Sequence, residues 1–466
     1  MTIAIGGGGP AGLTAAYELT RHGLEPTVFE SLPLVGGIAR TEEYKGYRFD
    51  LGGHRFFSKS EEINALWPEL LGAPLMTRER LSRIYYRNKF FRYPLKPLDA
   101  FMQLGPFTSL AAVASYFWSK VAPIRPEVSF EDWVSNRFGR RLYQTFFKTY
   151  TEKVWGIPCT ELSADWAAQR IQGLSLSTAL FKALIPKRGG AVKTLIEEFK
   201  YPPLGPGQLW EAAAGNIEAA GGAVRRRTKV NRLFLEGKRV AGISVEGPEG
   251  TEQLPVEWFL STLPIRELIL MMEPAPAAEV VKAAKALRYR DFLTVALIVD
   301  RPNLFPDNWI YIHSPEVQVG RLQNFGNWSP HLAPDPAKSC IGLEYFLWDT
   351  DELYQWPREK LIELGASEVA KLGLLKEDWV EDGHVVPVPK AYPVYDDAYQ
   401  ARLGVLRGFL DSVENLYCIG RNGQHRYNNM DHSMMTALLA ARNIAEGKNY
   451  DPWAVNTDAE YHEEQK

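Results

Sequence analysis

The first thirty residues constrain the chain more than any other stretch. Thr2-Ile3-Ala4-Ile5 is a short apolar run that predicts a strand. Gly7-Gly8-Gly9-Pro10-Ala11-Gly12 follows at once, then a helical pattern through Leu13, Ala16, Tyr17, Leu19 and Thr20. A second apolar run, Pro26-Thr27-Val28-Phe29, ends in Glu30. Strand, glycine loop, helix, strand and acid in this order make a dinucleotide site. Gly7 allows the tight turn, Gly9 admits a pyrophosphate to the backbone, and Gly12 lets helix and strand pack closely. Pro10 and Ala11 open the helix, and a proline there sacrifices no needed N–H. The helix N-terminus offers free N–H groups to phosphate. Glu30, roughly twenty residues past the loop, is placed to accept hydrogen bonds from a ribose.

Gly36-Gly37, then Arg40, come shortly after the acid. A glycine pair and a cation at this spacing resemble the extended fingerprint of flavin oxidoreductases related to amine oxidases. The resemblance implies FAD rather than NAD, with Gly37 close to the dinucleotide and Arg40 offsetting its charge.

With 466 residues the chain can bury a large core in two or three domains. A net charge of -3 provides no basic footprint for nucleic acid. Cys159, Cys340 and Cys418 show no metal spacing and read as buried thiols in a reducing compartment, so a cytoplasmic location and no metal are expected. The N-terminus enters the fold at once, without the pattern of a signal peptide.

Residues 1–92 read as the first part of the nucleotide-binding domain. Phe49 to Phe57 is hinged on Gly52 and Gly53 and carries His54. Residues 93–200 read as a helical insertion, with Asp99 as one cap and Ser129 with Asp132 as another. Ala100 to Ser119 contains no charge. Its Gln103, Gly105 and Pro106 make it a poor membrane span, so a buried helix is expected and membrane contact is disfavoured. Pro186 to Gly190 reads as a solvated basic turn. Residues 201–266 return to strand and helix patterns, and residues 267–390 turn to strands at Phe292–Val299, 309–313, 318–325 and 341–348, an antiparallel sheet in sequence. Residues 391–466 add a last buried strand and a final helix from His432 to Glu446.

Several segments together resemble the UDP-galactopyranose mutases, within the wider amine-oxidase and protoporphyrinogen-oxidase FAD superfamily. Tyr150 to Gly156 is similar to the segment before the mutase substrate helix. Gly420-Arg421 and Tyr427-Asn428-Asn429-Met430-Asp431 are similar to the C-terminal flavin motif. Gly53-His54 resembles the histidine loop, and Arg321, Glu344-Tyr345 and Tyr392 stand where mutases carry site residues. Three departures stand out. Phe57 replaces a second histidine, Arg170-Ile171-Gln172-Gly173-Leu174 lacks a second arginine, and Leu204 to Gly207 looks more like the protoporphyrinogen-oxidase branch.

The resemblance implies an α/β fold: a discontinuous Rossmann-like FAD-binding domain, a helical insertion domain and an antiparallel β-sheet substrate domain. It implies cofactor contacts from Gly53, Gly420, Arg421, Asn429, Met430 and Asp431. It implies a redox-neutral reaction in which reduced FAD, through N5, attacks the anomeric carbon of a nucleotide sugar and the ring recloses as a furanose. His54 would position that chemistry. Arg321 and Arg170 would clamp the diphosphate, Tyr345 and Tyr392 would bond phosphate or sugar, and Trp155 would stack on uracil or flank the flavin. An NAD(P)H-type reductant is a candidate partner, and the oligomeric state stays open. Two other readings stand beside this one: an FAD oxidase or desaturase of apolar or amine substrates, and a flavin-binding partner protein without turnover.

Overall fold

The computed structural model describes residues 1–93, 95, 97–164, 166–167 and 197–456. Its nucleotide half is a five-stranded parallel sheet in the order Leu416–Cys418, Trp258–Ser261, Ile3–Gly6, Pro26–Phe29, Ala223–Arg225. Strands from both ends of the chain and from its middle meet in this one sheet. Every residue of Ile3–Gly6 is buried, as a central parallel strand covered on both faces must be. Helices Pro10–Arg21, Glu61–Leu71, Pro206–Ala219 and Met430–Glu446 pack into the cluster built on Ile5, Leu13, Trp67, Trp210 and Met434.

The second large sheet has seven strands, ordered Val380–Pro393, Tyr289–Val299, Ser339–Leu347, Arg321–Asn324, Trp309–Ile312, Ser82–Tyr86, Lys89–Arg92. Its core is antiparallel as expected, but Ser82–Tyr86 runs parallel to Trp309–Ile312. Ser82–Arg92 thus pairs into this sheet and not into the parallel one. Side chains alternate between two cores. Phe292, Ala296, Ile298 and Phe346 face one aromatic cluster, while Leu293, Val295, Leu297, Leu343 and Tyr345 face another, under helix Arg358–Lys371.

Helix Phe130–Phe138 begins as expected at the Ser129 cap, whereas Asp99 lies inside helix Pro97–Leu104 and is not its cap. Asp132 N–H donates to Ser129 Oγ at 3.2 Å, and Ser129 N–H donates to Asp132 Oδ2 at 3.0 Å. The uncharged stretch departs from expectation. Gly105, at φ +83°, breaks it into Pro97–Leu104 and Pro106–Val121. The second helix buries Ala112, Tyr116 and Ser119 but leaves Phe107, Leu110, Phe117 and Trp118 exposed. Pro186 to Gly190 and Arg170 to Leu174 lie outside the described residues.

Candidate active site

The dinucleotide cradle is built from close backbone approaches. A Cβ on Gly12 would stand 1.9 Å from Gly7 O, so only glycine lets the helix start there. Gly9 is different: a Cβ would meet nothing nearer than Gly37 Cα at 3.8 Å. That glycine is kept open by no protein neighbour, which fits a pyrophosphate lying against it. Gly36 N–H donates to Gly8 O at 2.8 Å and clasps the second glycine turn over the first. Gly36 and Gly37 have φ +103° and +56°. Glu30 is buried, and its carboxylate accepts from Gly8 N–H and Leu32 N–H, both at 2.8 Å. Arg40 is held by Glu42 at 2.6 Å and by Gly37 O at 3.0 Å. The strand–loop–helix unit has the space, donors and acid that a dinucleotide needs.

At the other end, Gly420 has φ +75° and a Cβ there would strike Ala11 Cβ at 2.9 Å. Gly420 N–H donates to Thr436 Oγ1 at 2.9 Å, which seats the turn on helix Met430–Glu446. Asn429 is the N-cap residue of that helix, and its N–H donates to His432 Nδ1 at 3.2 Å. Asp431 is therefore not the cap. Its Oδ2 accepts from Ser58 Oγ at 2.9 Å and ties the His54 loop to the helix N-terminus. Met430 opens the helix and packs on the nucleotide core.

His54 follows Gly52, at φ +102°, and Gly53, where a Cβ would press on Trp328 at 3.2 Å. Burial first, then the charges of Arg421 and Arg321, pull its imidazole pKa down to about 3. His54 is therefore neutral at physiological pH, and two guanidinium groups bear on it. Arg321 Nε and Nη2 donate to Glu344 Oε2 at 2.9 and 2.5 Å, and Gln323 Nε2 donates to Oε1 at 2.8 Å. Burial is the largest influence and disfavours the Arg321 charge, but the Glu344 carboxylate and the phenols of Tyr150, Tyr392 and Tyr311 together outweigh it and hold the guanidinium protonated. Arg421 donates to Asn428 O at 2.9 Å and Ala391 O at 3.2 Å. Its guanidinium lies 5.6 Å from the Tyr392 ring centroid and 4.7 Å from that of Tyr427. Those two rings are stacked, 5.5 Å apart and 16° from parallel.

Two expected residues fall elsewhere. Tyr345 is one residue on from Glu344, so strand alternation sends it to the opposite core, where burial first and then Glu368 push its phenol pKa up. Trp155 is buried at 2 % exposure behind the site, edge-on to Tyr392 at 6.3 Å and to Trp166 at 5.0 Å. It buttresses the tyrosines and presents no free face for a uracil. Arg170 lies outside the described residues.

Gln323 and Tyr311 join this cluster without having been singled out in the sequence, and Glu344 and Tyr427, named there only within motifs, join it as well. Arg321 and Glu344 are register partners on adjacent strands, so charge pairing was the available signal. Two further cations position Tyr150. Lys153 Nζ donates to the carbonyls of Ile312, Ser314, Val317 and Val319 at 2.9–3.2 Å. Burial pulls its pKa down to about 8. Arg290 donates to Phe346 O at 2.7 Å and to Val154 O at 3.3 Å. Together they pin the Tyr150–Gly156 segment to the sheet, and Tyr150 stacks on His313 at 4.6 Å.

Residues 10–445 match the model of the family described as flavin containing amine oxidoreductase. The chain belongs to that family. It is a flavin-dependent enzyme, and the cradle fits the cofactor FAD. Its fold is similar to that of a reduced UDP-galactopyranose mutase, at TM-score 0.84 and 20% identity, over 98% of this chain and 97% of that one. A provisionally named protoporphyrinogen oxidase from Exiguobacterium sp. 255-15 matches at TM-score 0.71 and 16% identity, over 96% and 98% of the two chains. In sequence, a provisionally named flavin-containing monoamine oxidase of Mycobacterium tuberculosis, AofH, is 27% identical over 261 residues. That match spans 53% of this chain and 54% of the relative, so the chain covers about half the length of this curated relative.

Proposed function

We propose that this flavoenzyme interconverts pyranose and furanose forms of a nucleotide sugar, using reduced FAD. The observation that carries the reading is a pair of guanidinium groups around Tyr392 and His54: Arg421 lies 5.6 Å from the Tyr392 ring, and the charges of Arg421 and Arg321 both act on that phenol and on the imidazole. Arg421 bonds only carbonyl oxygens among the described residues, so its charge is left for an anion. Arg321 is fixed by Glu344, while its Nη1 has no hydrogen-bond partner among the described residues. A diphosphate is the ligand such a fork suits. When bound, the reduced cofactor supplies a nucleophilic nitrogen at the anomeric carbon. The chain's part is to hold the sugar nucleotide, keep neutral His54 over the reacting centre, and stabilise the departing diphosphate. Tyr150, Tyr311 and Tyr392 supply hydroxyls around Arg321. This reading places turnover in a reducing compartment such as the cytoplasm, with an NAD(P)H-type donor, in keeping with three unpaired thiols.

A second reading, an amine oxidase, draws on the family and on the stacked Tyr392–Tyr427 pair. Arg421 argues against it. The guanidinium lies over both rings, so a substrate ammonium approaching them meets a like charge. The deciding experiment is anaerobic dithionite reduction of the FAD-loaded protein, addition of UDP-galactopyranose, and chromatography for the furanose isomer. A new isomer without oxygen uptake supports the proposal. No isomer from any UDP-hexose, with peroxide released from an amine by the oxidised enzyme, sinks it.

A further inference from the structure

The helix Pro106–Val121 carries an apolar stripe on its outer side. Phe107, Leu110, Ala111, Ala114, Phe117, Trp118 and Val121 follow the three- and four-residue spacing of one helix face. Phe107 is 88% exposed, Leu110 70%, Phe117 61%, Trp118 71% and Val121 79%, and Met102 on the preceding helix is 77% exposed. Among the described residues nothing covers this face. Single exposed apolar side chains are ordinary, whereas a continuous stripe of large ones marks a docking surface. The inner side of the same helix is spoken for: Ala112 and Tyr116 pack with Ile84, Phe91, Leu142 and Phe146.

The surroundings indicate what docks. No acidic or basic residue occurs from Ala100 to Ser119. Beside the start of the stripe, at Thr108, a cleft of about 350 Å³ opens between Arg87, Lys89, Gln103 and Arg141. It is lined by three cations and no carboxylate. Arg87, Lys89 and Arg141 are exposed around this cleft at one end of the stripe, and Lys120 and Arg125 are exposed at the other, where Glu127 is paired with Arg137. An apolar helix face with a tryptophan, rimmed by cations, is the pattern of a helix lying in the interface of an anionic bilayer. A wholly apolar partner would leave the three cations of this cleft without a counter-charge, whereas a lipid phosphate supplies one. No helix among the described residues is long and apolar enough to cross a membrane, so the contact lies in the surface plane.

We infer that this face docks on an anionic lipid surface, with Phe107, Leu110, Phe117, Trp118 and Val121 in the acyl boundary and a lipid phosphate in the Arg87–Lys89–Arg141 cleft. The expectation of a buried helix holds for its inner side alone, since Phe107, Leu110, Phe117, Trp118 and Val121 are exposed. The inference stands apart from the sugar-nucleotide proposal. Tyr311 links the two regions: it packs on the same helical cluster, and its ring lies 6.0 Å from the Arg321 guanidinium.

The test is co-sedimentation of the FAD-loaded protein with vesicles of phosphatidylcholine alone and of phosphatidylcholine with phosphatidylglycerol. Binding to the anionic vesicles that weakens with salt is expected. Phe117→Glu with Trp118→Glu is expected to weaken it at least tenfold, with FAD content and melting temperature retained. Arg87→Gln with Arg141→Gln is expected to erase the preference for the anionic lipid. Three results overturn the inference. The wild type stays in the supernatant with both vesicles. The wild type is a dimer that the glutamate pair makes monomeric without vesicle binding, which makes the face a self-interface. Or the glutamate pair lowers the melting temperature and binds vesicles as the wild type does, which makes the face part of the fold.

Discussion

Asp50 gives the sharpest test of the energetics around the site. It closes strand Tyr47–Asp50 just before the His54 loop and is 1% exposed. Thr41 Oγ1 donates to its Oδ1 at 3.0 Å, and the Tyr201 hydroxyl donates to its Oδ2. Thr41 Oγ1 in turn accepts from Gly207 N–H at 3.0 Å, so one carboxyl ties the Arg40 turn, the His54 loop and the helix after Leu204. Burial raises the Asp50 pKa from 3.8 to about 7, against the pull of Tyr201 and Thr41. The folded state then keeps a proton that the unfolded chain has lost. The stabilising contribution is complete below about pH 4 and is lost as pH rises through 7. Three pH units at 1.36 kcal/mol each give up to about 4 kcal/mol over the whole span, and about 2.7 kcal/mol between pH 5 and 7.

The wild-type curve alone would hide this. Burial pulls His54 and His313 down to about 3 and His425 to about 4, and these groups add stability as pH rises through 6.5. Asp50→Asn isolates the carboxyl, because it removes one titration and keeps the shape. Its amide nitrogen can face Tyr201, whose hydroxyl turns to accept, while the amide oxygen still accepts from Thr41. Urea unfolding in saturating FAD, at pH 5, 6, 7 and 8, should show the variant gaining on the wild type by about 1.4 kcal/mol per pH unit up to pH 7 and no further. Parallel stabilities across that range would refute a protonated Asp50.

Gly9→Val should abolish FAD binding while the fold survives, since the added carbons enter the cradle and not the protein; flavin absorbance after gel filtration reads this. Gly12→Ala should instead prevent folding, because its Cβ would stand 1.9 Å from Gly7 O, and soluble yield reports it. Arg321→Ala should cost about 3–5 kcal/mol of stability by stranding buried Glu344, whereas Arg321→Lys should keep the fold and weaken UDP binding to reduced enzyme roughly ten- to hundred-fold. Calorimetric titration together with thermal melting separates those effects. The rate of isomer formation from pH 5 to 8 should carry no limb that His54→Ala removes, since His54 stays neutral throughout that range.

The nucleotide half was legible because its constraints are local. Glycine spacing, a first-turn proline and an acid after the second strand each report on a few neighbouring residues. The seven-stranded sheet was legible only in outline. Tyr289–Val299 and Ser339–Leu347 are buried on both faces, so no polar alternation says which parity points to the site. Glu344 and Tyr345 are adjacent, and only the register shows that Glu344 pairs with Arg321 while Tyr345 faces the other core. Val380–Pro393 was not predicted as a strand because Pro387 and Pro389 interrupt it, yet it lies at the sheet edge, where prolines are tolerated. Ala100 to Ser119 misled in another way. An uncharged helix reads as core, and sequence cannot tell a helix facing protein from one facing another apolar medium.

The balance of charge decides what the site can hold. Glu344 neutralises Arg321, and Gln323 occupies the carboxylate's second oxygen, so this trio contributes orientation more than field. Arg421 has no carboxylate partner among the described residues, and helix Met430–Glu446 begins within ten residues of it. The uncompensated guanidinium and the positive helix end add in sign. Ser58 and Asp431 fix that helix end to the loop bearing His54. On the proposed reading, His54 contributes a neutral ring, because a charged imidazole there would be a third cation in a buried space. Electrostatic preorganisation of this kind favours an anion that is present throughout the reaction. A diphosphate that leaves and returns meets that condition, and a protonated amine does not.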